Sequence, residues 1–513
     1  MPLPPIVPLL PLSGRTVSFL DLPWRNMRII TRRNMEAALA AIETRLAAES
    51  ESLDLQADRA RLLAELGQAD EAKRQYLEIL KRDPKHLTTL ISFSVLLDKT
   101  GFTSAARTAA QAAIAFHPGN PKAHINFADL SMYEKKFETA RAHYEAALRI
   151  DPGHLNAHRG LALIFWELGD EESARHHQSI QFQNQPLESL PYLGTGEPVP
   201  LLVLMSARGG NLPWRELVDN RVFLVIAVAA EFYDRSKPLP RHRLIFNTIG
   251  DADICGPALE AAEALLAQTT APVVNSPAAV LATGRMANAQ RFDSLPGVVT
   301  PRIVRMPRML LTAPESLVAL DSHKLTFPLL LRRPGFHTGQ HFVRVDSPDA
   351  LAAAAAGMPG DELLVIQYLD ARGRDGKARK YRAMSIGGRL YPLHLAISDQ
   401  WKVHYFSASM SGNAQHQAEE ADFLNDMPRV LGPQAMRALE QIGDALGLDY
   451  GGIDFGLGPA GEILLFEANA TMLIRLPELG AQWDYRREPI GRALDAARNM
   501  LFERAEVTAE AHA

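Results

Sequence analysis

Cysteine is almost absent from this 513-residue sequence, with Cys255 standing alone. No intrachain disulfide and no multi-cysteine metal site can form, as expected of a chain in a reducing compartment, and the cytoplasm is the expected location. An excess of positive charge is missing too. Lys and Arg number 54 against 59 Asp and Glu, a formal net charge of -5. That balance gives no overall basic field for phosphate backbones or acidic membranes, so no nucleic-acid partner is expected. Long apolar runs are lacking as well: the longest strongly apolar one, Val222 to Ala230, is far short of the ~20 residues that cross a bilayer. Residues 1–12 carry five prolines and no basic run, matching neither a secretory signal nor a helix; residues 1–34 therefore read as an extended or disordered lead-in. What is present is ordinary: 47% apolar and 22% charged residues in a length that allows two to four globular domains.

A period of 34 residues dominates the first part. Pro84, Pro118, Pro152 and Pro186 keep that step, as do Ala72, Ala106, Ala140 and Ala174. Gly67, Gly101 and Gly169 precede their alanines by five residues, and Lys135 interrupts the glycine series. A stack of helical hairpins explains all three series: alanine sits where two helices approach closely, glycine ends the first helix, and proline stops the second. Tyr76, Phe127 and Tyr144 are expected to fill the space between neighbouring hairpins. In period and pattern, including Asp83-Pro84, His117-Pro118 and Asp151-Pro152 at the ends of three copies, the stretch resembles the tetratricopeptide repeat (TPR). An all-α solenoid is therefore expected over residues 35–186, with Met35 to Ala48 as a leading helix. Its concave groove would recruit a peptide or protein substrate, with His124, Asn126, His158 and Arg159 as candidate contacts; a scaffold or dimerisation element with an empty groove is the alternative.

Pro191, Gly194, Gly196, Pro198 and Pro200 mark residues 187–198 as a linker. Beyond it, Leu201 to Met205, Val222 to Ala230 and Leu244 to Asn247 read as buried strands, and Ala258 to Gln268 as a helix, the texture of a parallel α/β sheet over residues 199–300. Residues 301–505 change to hairpins: Phe327 to Arg333 with His341 to Val345, Leu363 to Leu369, and Lys380 to Ile386 joined to Arg389 to Ile397 through Gly387-Gly388. A helix from Pro433 to Leu446 ends at Gly447, and residues 506–513 read as a tail.

Gly451 to Met472 is the most informative stretch. Two strands flank the turn Gly458 to Gly461. Glu467 and Asn469, two apart, share a face, and Asp454 lies opposite them within about one residue of register. Two carboxylates and an amide oxygen suit a hard divalent cation, and an acid inside an apolar strand has a desolvation cost that a cation would offset.

With those residues the second half resembles the ATP-grasp fold of glutathione synthetase, D-alanine:D-alanine ligase and the ribosomal-protein glutamate ligases. The resemblance implies a pre-ATP-grasp α/β subdomain followed by two α+β subdomains, and Mg-ATP, with Mn2+ as the alternative ion, held at Asp454, Glu467 and Asn469. It places Arg333, before Pro334, where the family has a phosphate-contacting lysine, and Thr338 and Gly339 in the flap over the phosphates. It also places Gln367, Tyr368 and Leu369 at the hinge that reads adenine, Asp370 at the ribose, and Arg382 at the phosphate. Lys380 replaces an acid of the family's pattern. Asn275-Ser276-Pro277 resembles the entry into the ATP-binding part, and His394 and Lys402 stand where substrate is touched. The implied activity is an ATP-dependent carboxylate-amine ligase acting through an acyl phosphate, in which Arg333 and Arg382 stabilise the transferring group. An adaptor with a degenerate nucleotide site and a phosphotransferase are the alternatives. His337, His341, His394 and His404 show no zinc-ligand spacing, and Cys255 reads as a structural thiol.

Overall fold

The structure, a computed structural model, describes residues 32–184, 186–335, 341–403, 410–477 and 482–506. The expectations for residues 1–31, for Thr338 and Gly339, and for His337 and His404 lie outside the described residues. The chain divides into two compact units, one comprising the residues through Gly209 with Asn220–Arg243, the other Gly210–Asp219 with the residues from Leu244 on.

The first unit opens with nine consecutive helices among the described residues: α1 (Arg32–Ala48), α2 (Leu53–Glu65), α3 (Ala69–Arg82), α4 (Leu87–Lys99), α5 (Thr103–Phe116), α6 (Pro121–Tyr133), α7 (Phe137–Ile150), α8 (Leu155–Leu168) and α9 (Glu171–Asn184). From α2 on they form helical hairpins with the predicted period, and Pro84, Pro118 and Pro152 sit in the turns after α3, α5 and α7. Ala72, Ala106, Ala140 and Ala174 are all fully buried, and Tyr76, Phe127 and Tyr144 are buried between hairpins as expected. Gly67, Gly101 and Gly169 end α2, α4 and α8 with φ of 87°, 85° and 78°. Lys135, the break in the glycine series, adopts the same left-handed conformation with φ 57°. The turn geometry thus overrides the residue's own preference, at the cost of crowding its Cβ.

His124, Asn126 and His158 are buried rather than open to the groove, and Arg159 is half-buried. The two histidines line the seam between helices. His124 Nε2 and His158 Nε2 each lie 2.9 Å from the carbonyl oxygens of Pro118 and Pro152. Their Nδ1 atoms face those of His143 and His177 at 3.1 and 2.7 Å. Burial, then the adjacent His158 and His176 imidazoles, push His177 down to about 4.

The stretch predicted as a linker contributes a strand. β1 (Leu187–Ser189), β2 (Val199–Met205) and β3 (Phe223–Ala229) pair so that β2 and β3 are parallel and β1 is antiparallel to β3. The near-continuous apolar runs of β2 and β3 are what a parallel sheet covered on both faces requires.

In the second unit β4 (Leu244–Asn247) pairs in parallel with β5 (Val273–Val274), with α10 (Gly256–Leu266) between them in the chain. α11 (Pro277–Leu281), α12 (Arg285–Phe292) and β6 (Val298–Val299) follow. β7 (Ile303–Pro307), α13 (Arg308–Thr312), α14 (Ser316–Ser322), β8 (Leu329–Arg332), β9 (Phe342–Val345), α15 (Pro348–Ala356) and β10 (Glu362–Gln367) then build an antiparallel sheet of order β7-β10-β8-β9. One of its faces, carrying Leu329, Leu331, Leu363 and Val365, packs on Leu311, Leu320 and Leu351 of the helices. The chain continues through β11 (Ala378–Ile386), β12 (Arg389–Ser398), α16 (Ala414–Asn425), α17 (Met427–Leu446), β13 (Tyr450–Leu457), β14 (Ile463–Asn469) and α18 (Arg487–Arg504). Its strands give the order β12-β11-β13-β14-β6. Gly387 and Gly388, with φ of 54° and 75°, make the tight hairpin that joins β11 to β12. The helix predicted from Pro433 is the part of α17 beyond a break at Gly432, and Gly447 caps it with φ 65°. A run of TPR-like helices followed by mixed α/β structure, with one antiparallel sheet and one that is antiparallel except where β6 joins β14 in parallel, is the fold class that the sequence implies.

Candidate functional site

β13 and β14 place the acidic residues together. Asp454 is directly opposite Glu467, and Gly452 opposite Asn469, with a bulge after Asp454. On the other edge of β13, Arg382 of β11 is directly opposite Asp454, and Lys380, two residues earlier, shares its face.

The geometry is that of interlocked ion pairs. Arg382 donates from Nε to Asp454 Oδ1 at 2.5 Å and from Nη2 to Oδ2 at 2.8 Å. Lys380 Nζ stands 2.6 Å from Oδ2. Asp454 is only 1% exposed. Burial by itself would raise its pKa, but Arg382 and Lys380 outweigh that and hold the carboxyl well below the usual carboxylate range. Glu467 behaves alike: burial raises it, and Arg285 and Arg332 pull it down more strongly. Arg285, the first residue of α12, donates from Nη2 to Glu467 Oε1 at 2.5 Å and from Nη1 to the Phe466 carbonyl at 3.3 Å. Asn469 turns its amide nitrogen to Glu467 Oε1 at 3.1 Å, and its oxygen accepts from the Thr471 backbone N and hydroxyl at 3.0 and 2.8 Å.

A small cleft of about 30 Å³ is lined by Asp251, Asp253, Arg285, Asn288, Glu467 and Asn469 among others. The loop after β4 enters it because Gly250 has no side chain: a Cβ there would come within 2.8 Å of the Ala470 carbonyl oxygen. Asp253 accepts from the Arg285 backbone N at 3.3 Å. Burial raises the pKa of Asp253 against the pull of Arg285, with Asp251 adding to the rise. Asn275 fixes the entry segment to β13, giving its Nδ2 to the Tyr450 carbonyl at 2.8 Å and accepting from Tyr450 N at 2.9 Å.

The two arginines at the end of β8 lie on opposite faces of the strand. Leu329 and Leu331 belong to the helix-covered core, whereas Leu330 packs with Ile303, Phe342, Leu364, Ile366 and Trp401 on the opposite face. By the strand's alternation Arg332 follows Leu330 and Arg333 follows Leu331. Arg333 lies against Gly360 instead. Burial, then Arg285, lowers Arg332 to about 10, while Glu467, Asp253 and Asp251 oppose the shift. Lys402 joins this face: its Nζ donates to the Phe342 carbonyl at 3.5 Å, and burial followed by Arg332 lowers its pKa.

The hinge residues border the apolar face. Gln367 donates its backbone N to the Arg302 carbonyl at 2.8 Å, and Arg344 stacks over the Tyr368 ring at 4.5 Å. Asp370, expected at the ribose, is paired with Arg372 at 2.5 Å. His394, opposite Arg382 on β12, is buried. Cys255 is buried.

Of the expected metal donors, Asp454 does not fit a divalent cation, because both oxygens face cationic side chains and the carboxylate is closed to solvent. Glu467 and Asn469 line the cleft side by side; Glu467 Oε1 accepts from Arg285 and Asn469, and the Asn469 oxygen accepts from Thr471. Among the described residues no group of three or more His, Cys, Asp or Glu is arranged to hold a metal ion. Arg285, Arg332, Asp251 and Asp253 carried no motif and were not foreseen; the strand period after Leu330 was the one available signal, and it pointed to Arg332.

The chain thus joins a helical-repeat half to an α/β half with a charged cleft. Family models described as tetratricopeptide repeat match residues 53–86 and 131–177. No curated protein matches the chain. MamA from Desulfovibrio magneticus is similar at 20% identity, over 30% of this chain and 86% of that one, with TM-score 0.26. A thermophilic TPR protein from Thermus thermophilus is similar at 17% identity, over 30% and 84%, with TM-score 0.28. The VanG D-Ala:D-Ser ligase from Enterococcus faecalis is similar at 14% identity, over 60% of this chain and 100% of that one, with TM-score 0.37. Among the described residues no helix is long and apolar enough to cross a membrane.

Proposed function

We propose that the α/β half is an ATP-dependent ligase that joins a carboxylate to an amine or another nucleophile through an acyl phosphate, and that the TPR half recruits a peptide or protein substrate. The observation that carries this reading is the convergence of Lys380 and Arg382 on Asp454 and of Arg285 and Arg332 on the adjacent Glu467, the last of which lines a cleft beside a sheet with an apolar face. Leu330, Leu364, Ile366 and Trp401 suit a purine ring, and the Gln367 to Leu369 backbone suits its edge.

In such a reaction a substrate carboxylate oxygen attacks the γ-phosphorus and the bond to the β,γ-bridging oxygen breaks, releasing ADP. The nucleophile then attacks the acyl carbon, phosphate leaves with the electron pair, and the amine gives up its proton. Fixed cations facing the transferring group stabilise the charge that spreads over its oxygens. Arg332, Arg382 and Lys380 have that role here, and Arg285 orients Glu467. Glu467 and Asn469 would hold Mg2+ or Mn2+, which supplies further neutralisation of phosphate oxygens.

The test is phosphate release from ATP against a panel of amino acids and peptides, with hydroxylamine present to trap the acyl phosphate as a hydroxamate. ATP turnover without hydroxamate would turn the assignment to phosphotransfer. Nucleotide binding without turnover would favour an adaptor, a reading supported by the engagement of Asp454 with two cations.

A further inference from the structure

The three residues expected to hold a divalent cation are left in different states by the fold. Asp454 meets three cationic N–H donors, two from Arg382 and one from Lys380. A carboxylate has about four lone-pair sites, and this one is 1% exposed. Hard divalent ions bring water with them and need open oxygen donors. Asp454 offers neither space nor a free face, so its place in the site is to anchor cations.

Those cations are not closed off. The Lys380 and Arg382 side chains remain 21% and 23% exposed. An ammonium has three donors and a guanidinium five, so both keep hydrogens for a ligand after serving Asp454. We propose that Lys380 fills, at Asp454, the seat of a cation, and that with Arg382 it binds the phosphates of a nucleoside polyphosphate directly, making nucleotide binding by this chain only weakly dependent on divalent metal. The inference rests on the nucleotide-binding reading above and goes beyond it, because it separates the charge that holds the nucleotide from any metal at Glu467 and Asn469. Register fixes the arrangement: sliding β11 by one residue against β13 would turn both cations to the opposite face.

Equilibrium binding of a fluorescent ADP to the full chain tests it, in EDTA and in millimolar magnesium. The wild-type affinity should differ by less than about tenfold between the two. Lys380→Met should weaken binding by about tenfold or more in EDTA and recover much of it in magnesium, as a diffusible cation replaces the missing ammonium. Lys380→Arg should bind in EDTA like wild type. Loss of wild-type binding in EDTA overturns the proposal, and so does a Lys380→Met protein with the same affinities as wild type in both buffers. Because the wild-type comparison decides alone, a variant that failed to fold would not rescue the idea. Absence of nucleotide binding in both buffers would sink the nucleotide reading itself, and this inference with it.

Discussion

Replacing Asp454 by Asn separates an anchored ion cluster from a metal seat by the sign of the stability change. If the carboxylate chiefly awaited a divalent ion, then without that ion its removal would relieve a buried charge, and the protein would hold or gain stability. The structure instead has Asp454 bonded twice by Arg382 and once approached by Lys380, all with side chains less than one quarter exposed. Removing one partner of such a cluster leaves two cations facing each other without compensation, and breaking buried pairs costs about 3–5 kcal/mol. In a unit of this size roughly 2–4 °C is lost per kcal/mol, so Asp454→Asn should melt about 6–20 °C lower in metal-free buffer. Differential scanning calorimetry reads the shift, and urea unfolding should give a lower midpoint with an unchanged slope. Adding Lys380→Met to Asp454→Asn should restore part of the loss, since the two cations would no longer repel. The pH profile follows the same sign. A carboxyl held below its unfolded value contributes stability that is present above about pH 4 and is lost as pH falls toward its folded pKa; the variant should lack that acid-side loss. An Asp454→Asn protein within about 1 kcal/mol of wild type in metal-free buffer would refute the reasoning, because a buried pair cannot be that inexpensive to break.

Lys135→Gly should stabilise the helical unit by about 1 kcal/mol, since the left-handed turn crowds a Cβ that glycine lacks; chemical denaturation measures it, and a destabilised variant would contradict the strain. Gly160→Ala should destabilise by about 1–3 kcal/mol, because its Cβ would come within 2.2 Å of the Tyr144 ring, and the same denaturation curve reports the effect. His177 should titrate in the folded protein near 4 by NMR. Its depressed value means that the stability it contributes is complete above the unfolded value of about 6.5 and declines as pH falls through 4, so His177→Phe should flatten that limb. Arg332→Ala should weaken nucleotide binding by about tenfold or more, whereas Arg333→Ala should leave it within about threefold; the opposite ranking would restore the arginine next to Pro334 as the phosphate contact.

Local signals carried most of the fold. The 34-residue period repeats one short-range packing problem, so its alanines and prolines announce the solenoid without knowledge of the rest of the chain. Asp454 and Glu467 were legible for a similar reason: a short hairpin joins their strands, and the alternation along β14 puts Asn469 beside Glu467. Local pattern ran out elsewhere. Arg333 precedes Pro334 as a phosphate-binding residue would, but the phase of β8 is set by which leucines the helices cover, and that phase puts Arg332, not Arg333, on the face of Leu330. Arg285 stands 182 residues from Glu467 in the chain, and nothing between them encodes the contact. His124 and His158 occupy helix positions open to a groove in pattern alone, yet the fold uses them to bridge neighbouring helices.

The replacement at Lys380 joins these two kinds of information. From sequence it is only a lost acid. Cross-strand pairing converts it into a third donor at Asp454, and the electrostatic consequence reaches the whole cleft. An acid at that position would have added negative charge beside Asp454 and Glu467, two carboxylates already facing each other across one strand pair, and would have left Arg382 alone to compensate it at Asp454. With lysine there the repulsion is relieved from within the chain, and Arg285 does the same at Glu467. The site can therefore fold in its final geometry before any ligand arrives, which removes the reorganisation that fixed dipoles and charges must otherwise undergo when phosphate binds. The same compensation limits affinity, because a phosphate must share these cations with the carboxylates that hold them in place. Tight binding is then reached only if the donors left over by Asp454 point to the cleft, and that is the property on which Lys380→Met and Lys380→Arg should differ.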